Sequence, residues 1–175
     1  MLSASVQLHP MTRSDAAVLL SLQLDNRDFL APYMPVRDET FFTLEGVAKR
    51  LAGHETARAL DNGYAYLILA GGEAAGTLEI SEVARGPFQS AYLGYWVTRT
   101  HNGRGIATTA VAKAVENAFS SLGLHRLQAA TLLHNVGSQR VLEKNAFTRI
   151  GVARRYLCIA GLWQDHVLFE RTAET

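Results

Sequence analysis

Apolar residues between positions 106 and 122 recur at the spacing of one helical face: Ile106, Ala107, Ala110, Val111, Ala114, Val115, Ala118, Phe119 and Leu122. Lys113, Glu116 and Asn117 lie opposite. The period predicts an amphipathic helix over Ile106–Leu122 that packs on a sheet and is closed by Gly123. The stretch before it reads differently. Ala91–Thr98 carries Tyr92, Leu93, Tyr95, Trp96 and Val97, the aromatic and β-branched content of a buried or half-buried strand. Tyr64–Ala70 and Ala74–Val83 are strand patterns joined by Gly71-Gly72-Glu73, which makes a hairpin. In its second strand Thr77, Glu79 and Ser81 alternate with Leu78, Ile80 and Glu82, so the two faces meet different surroundings until near the end.

Weaker patterns fill the rest. Val6–Leu8 is a short strand, and Thr12 with Asp15 forms a variant capping box opening a helix through Ala16, Leu19, Leu20 and Leu24. Phe29 to Phe42, with Pro32 and Pro35, reads as a loop; Thr43 caps a second helix toward Leu60, stopped by Asn62-Gly63. Beyond the long helix, Leu124–Thr131 is a strand and Asn135 opens a shorter helix through Val141 and Leu142. Phe147–Tyr156 and Trp163–Arg171 are the last strand candidates. The order is mixed α/β (α+β), without repeat or composition break, and one domain over residues 1–175 is expected.

Composition narrows the class. Of 175 residues 48% are hydrophobic, which excludes disorder as the main theme. Seventeen Lys and Arg against 16 Asp and Glu leave a net charge of +1, so no strong overall field draws a nucleic acid or an anionic membrane. The single cysteine, Cys158, cannot form an intramolecular disulfide, and its apolar neighbours favour a packing thiol. No secretory signal layout and no apolar run of ~18–20 residues is seen, so the cytoplasm is expected. The six histidines show no metal spacing, and no GxSxG surrounds Ser138, so neither a metal nor serine hydrolysis is expected.

The chemistry concentrates at the junction Thr98-Arg-Thr-His-Asn-Gly-Arg-Gly-Ile-Ala-Thr108. Gly103 and Gly105 let the backbone turn without a Cβ in the way, so the first amides of the following helix can converge on an anion. The helix dipole and Arg104 favour a phosphate or pyrophosphate there. The bland alternative is a tight strand-to-helix turn. No GxxxxGK[ST] exists; the partial GxGxx match has Thr108 where a dinucleotide site needs Gly or Ala, and His125-Arg126 where an acid would hold a ribose.

These residues resemble the GNAT superfamily of acetyl-CoA-dependent N-acetyltransferases, in particular its RimJ/RimL-type branch. The family signature Q/R-x-x-G-x-G/A falls on Asn102-Gly103-Arg104-Gly105-Ile106-Ala107, after a Gly94-Tyr95-Trp96 element. Asn135, Ser138, Val141-Leu142-Glu143-Lys144 and Ala146-Phe147 match the branch's N-x-x-S-x-x-V-L-E-K-x-G-F segment, and Gly161 with Asp165 its terminal G…D pattern. Asn102 departs from Gln or Arg, Ala146 from Gly, and Tyr92 stands where many relatives carry an acid two residues before the G-Y pair.

The resemblance implies a mostly antiparallel, splayed sheet of six or seven strands with about four helices, and acetyl-CoA as co-substrate. Its pantetheine arm would lie in the wedge beside Trp96, Val97 and Thr98, with an amide of Trp96 or Val97 holding the acetyl oxygen. The diphosphate would meet Gly103, Arg104, Gly105, Ile106, Ala107 and Thr108. Asn135, Ser138 and Lys144 would face the cofactor, Ser138 donating to the departing thiolate or, alternatively, only capping its helix. Glu79 and Glu82 are the candidate bases, against the alternative of a solvated strand face. An α-amine of pKa ~7.7–8.0 is ~10–20% neutral at pH 7 and lysine at ~10.4 only ~0.04%, so a weak base suffices for α-amines. The acceptor implied is a protein N-terminal α-amine. The alternatives are a small-molecule amine or a non-catalytic CoA-binding module; a homodimer is left open.

Overall fold

The structure, a computed structural model, describes residues 5–174. Chain order is β1 (Val6–Pro10), α1 (Ala16–Asp25), α2 (Arg27–Leu30), α3 (Leu44–Ala59), β2 (Tyr64–Ala70), β3 (Glu73–Ala84) and β4 (Ser90–Val97). Then follow α4 (Ile106–Glu116), β5 (Arg126–Leu132), α5 (Val136–Lys144), β6 (Thr148–Ile159) and β7 (Leu162–Thr172). One seven-stranded sheet has the order β1-β2-β3-β4-β5-β7-β6. Every pairing is antiparallel except β4 with β5, which are parallel because α4 carries the chain back between them.

Helices cover both faces. Leu78, Ile80, Leu93, Leu127, Ile68 and Phe169 pack under α4 and α5 with Val111, Ala114 and Leu142; Leu67 and Ala65 point the other way, against Leu19 of α1 and Val47 and Leu51 of α3. β2 is therefore buried on both sides, which accounts for its continuous apolar run.

Most boundaries follow the pattern. Asp15 accepts a hydrogen bond from the Thr12 amide at 2.8 Å, and the Thr43 hydroxyl accepts from the Gly46 amide at 3.1 Å. The capping box first closes a 3₁₀ turn, Arg13–Asp15, and α1 grows from it. Two expectations change. Phe29 to Phe42 is not a plain loop: it holds the end of α2 and two 3₁₀ turns, Ala31–Tyr33 and Glu39–Phe42, the second capped by Asp38. Such single turns have no period to read. The long helix leaves α geometry at Glu116 and ends in a π-helical turn, Asn117–Ser121, where the Leu122 amide reaches the Asn117 carbonyl at 3.0 Å. No helix among the described residues is long and apolar enough to cross a membrane.

Candidate active site

β4 and β5 pair only at Ser90–Arg126, Ala91–Leu127 and Tyr92–Gln128, and beyond that point they part. The phase of β4 decides which amides face the gap. Thr98 donates its N–H to the Ala75 carbonyl of β3 at 2.8 Å. Alternation along an antiparallel pair then turns the amides of Trp96 and Gly94 toward β3, and those of Val97 and Tyr95 toward the gap. So of the two amides expected at the acetyl oxygen, Val97's opens on the wedge and Trp96's is used within the sheet. Gly76 permits this packing: a Cβ there would stand 2.1 Å from the Trp96 carbonyl oxygen. Across the gap, the buried Thr131 hydroxyl of β5 has no partner among the described residues.

At the head of α4, Gly103 and Gly105 adopt φ of 73° and 79°, a left-handed conformation that side chains with a Cβ resist. The first internal bond of the helix end runs from the Thr109 amide to the Gly105 carbonyl at 3.0 Å. The amides of Arg104, Gly105, Ile106, Ala107 and Thr108 make no hydrogen bond among the described residues, as the first amides of a helix do, and so are free to bond an anion. Gly103 differs: its amide is taken by the Asn102 side-chain oxygen at 2.9 Å. Thr98 differs too, since its amide goes to β3 and its hydroxyl to the His101 ring at 2.8 Å, so it shapes the loop from inside. Asn26, buried at the end of α1, accepts from the Arg99 amide at 2.9 Å and donates to the Leu22 carbonyl at 2.9 Å, pinning the loop from the other side.

α5 closes the site. Asn135 caps it by accepting from the Ser138 amide at 3.1 Å, which frees the Ser138 hydroxyl from any capping role. That hydroxyl lies 2.9 Å from the Tyr95 hydroxyl, a bond from β4 to the helix beyond β5. Burial raises the Tyr95 pKa from 10.0 to about 12, although the bond to Ser138 works against the shift. The buried Asn145 donates to the Thr108 carbonyl at 3.1 Å, setting the end of α5, and with it the exposed Lys144, against the first turn of α4. Tyr95, Asn26 and Asn145 escape a reading of the sequence as functional residues. Tyr95 merges with an aromatic strand pattern, and the two asparagines sit where helices simply end.

The candidate carboxylates separate. Glu79 opposes Gly94 and shares its face with Thr77, the partner of Trp96. It is 47% exposed and 3.7 Å from the His54 ring of α3. At about 3.4 Å per residue it stands some three positions, ~10 Å, from Val97 along the sheet. Glu82 sits in a bulge at φ 53°, beyond the Ser81–Tyr92 pair and so roughly 17 Å or more from Val97, and is not brought to the split. On the Glu79 face a cleft of about 310 Å³ is bounded by Gln23, Arg27, Met34, Arg37, Phe41 and Trp96, among others. Among the described residues no cluster of three or more His, Cys, Asp or Glu is placed to hold a metal.

A family model described as the acetyltransferase (GNAT) domain matches residues 5–148. The probable N-acetyltransferase YjcK of Bacillus subtilis is 37% identical over 164 residues, covering 93% of this chain and 91% of that protein. The ribosomal protein uS5-alanine N-acetyltransferase of Escherichia coli is 32% identical over 156 residues, 88% of this chain and 80% of its own. Mycobacterium smegmatis RimJ, solved in complex with CoA-disulfide, superposes with a TM-score of 0.92 at 32% identity over 96% of this chain and 82% of that one. With a split mixed sheet, an open helix N-terminus beside it and relatives of RimJ/RimL type, the chain belongs to the GNAT family of N-acetyltransferases.

Proposed function

We propose that the protein moves the acetyl group of acetyl-CoA to the α-amine of a protein or peptide N-terminus, by direct attack and through one GNAT domain. The observation that carries this reading is the run of five unbonded amides, Arg104 to Thr108, beside the parting of β4 and β5. The cradle fits a diphosphate, with Arg104 and Lys144 adding positive charge. The free amides of β4 fit the amide-bearing arm of CoA in the wedge.

When bound, acetyl-CoA supplies the acyl group activated as a thioester. The Val97 amide would donate to the acetyl oxygen, where negative charge grows during attack. Tyr95, protonated far above neutral pH and also within 3.2 Å of the Ser138 carbonyl, would hold the Ser138 side chain in place, and the Ser138 hydroxyl would donate to the departing sulfur. Glu79 would take the proton the amine loses, through water, from the opposite face of the sheet. An α-amine is neutral more often than lysine by a factor worth roughly 3–4 kcal/mol at pH 7, so a half-exposed carboxylate is base enough.

Two features support a protein acceptor. Relatives are named for acetylating ribosomal-protein alanine. The cleft is also lined by exposed Val36 and by Ala160, on two segments joined by the Ala160 amide and the Met34 carbonyl at 2.9 Å, with exposed Leu162 and Trp163 following Ala160 closely in the chain. Calorimetry with CoA, followed by mass spectrometry of peptides with varied first residues, tests the reading. Saturable CoA binding and a 42 Da gain confined to the N-terminal amine is expected, ~42 Da being the mass of acetyl replacing hydrogen. Acetylation of small amines alone would replace the acceptor, and binding without turnover would leave a CoA-binding module.

A further inference from the structure

The cleft below Trp96 holds charge that the transfer chemistry does not use. The guanidinium carbons of Arg37 and Arg50 lie 4.8 and 3.7 Å from the centre of the same Phe41 ring. Among the described residues neither forms an ion pair. Arg50 spends its donors on neutral acceptors, the Phe41 carbonyl at 3.0 Å and the Gln23 side-chain oxygen at 2.9 Å. Burial, and after it the neighbouring Arg37 charge, lower the Arg50 pKa from its ordinary value. Arg27 is different: stacked 4.2 Å from the Phe42 ring, it is neutralised by Glu39 at 2.6 Å. Asp38 accepts from the Phe41 amide at 3.1 Å as the cap of its 3₁₀ turn. Among the described residues no carboxylate lines the cleft, and Arg37 makes no side-chain hydrogen bond or ion pair, although its charge, after the hydrogen bonds from Thr40 and Phe41, helps to lower the pKa of the neighbouring Asp38.

Two cations against one ring are each attracted to its face, yet they repel one another, and a bound anion would relieve that. A guanidinium fork suits a carboxylate, which it can grip with two parallel bonds. The same charge repels polyamines. Trp96 belongs both to the cleft and to the strand that borders the wedge, so residues following an amine held at Val97 have the cleft before them. Resting on the N-terminal reading above, we propose that the cleft selects acceptor peptides carrying an acidic side chain within the first few residues, and that Arg37 reads it.

The test compares two peptides with free N-termini and a C-terminal dye, identical except for Glu or Gln at the second and third positions. Turnover and, separately, anisotropy binding to the CoA-loaded protein are measured. The wild type is expected to favour the Glu peptide about tenfold in kcat/KM and in affinity, the gap shrinking at high salt. Arg37→Ala should erase the preference and Arg37→Glu reverse it, both keeping the wild-type KM for acetyl-CoA as proof of folding. Equal use of the two peptides by the wild type overturns this proposal alone. Acetylation of neither overturns the α-amine reading, and this proposal with it.

Discussion

The two halves of the site are built from different materials. On the proposed cofactor side, recognition would rest on main-chain amides whose direction is set by a strand edge, two left-handed glycines and a helix end. On the proposed acceptor side it would rest on side chains, Arg27, Arg37, Phe41 and Phe42, carried by short turns between α1 and α3. Amides serve one invariant ligand whatever residues bear them; side chains on irregular turns can change without disturbing the sheet. One hydrogen bond links the two proposed halves: Asn26 ends α1, where the cleft wall begins, and accepts from the Arg99 amide at the start of the glycine loop.

Substitutions can break this division, the largest effect coming first. Ser138→Ala is expected to lower kcat about 100-fold by removing the proton donor, with CoA affinity by calorimetry unchanged. Tyr95→Phe should cost about fivefold through the lost bond to that hydroxyl. Gly105→Val forces a β-branched residue to φ 79° and turns the amides away, so CoA affinity should fall about 30-fold while the acceptor preference persists in the activity that remains. Asn26→Ala removes the partner of the part-buried Arg99 amide, at a cost of ~1 kcal/mol. It should lower the melting temperature and, unlike the others, raise the KM for both substrates. Glu79→Gln should reduce kcat/KM for a peptide about three- to fivefold at neutral pH, and Glu82→Gln should leave it within twofold. The reverse order would move the base to the far end of β3.

Tyr95 shows why a site can hide in plain sequence. Its ring satisfies the strand pattern and packs against the α4 core, while its hydroxyl crosses to Ser138, 43 positions later. Asn145 likewise reads as a helix terminus, and its bond to Thr108 exists only because α5 lands on α4. Glu79 and Glu82 look alike as strand carboxylates; a bulge and a register separate them.

Local periodicity and glycine placement were enough to reveal β4, the turn and α4, since a helix N-terminus exposes its amides whatever surrounds it. The motif order from Gly94 to Phe147 carried the family likewise, because those residues act close to where they stand in the chain. The phase of β4, which leaves the Val97 amide free and commits those of Trp96 and Thr98, needed the pairing with β3. So did the arginine-lined cleft, whose walls come from α1, the 27–42 turns, β4 and the β6–β7 hairpin. Contacts between segments far apart in sequence are set by how the sheet twists and parts, and no stretch of the chain carries that on its own.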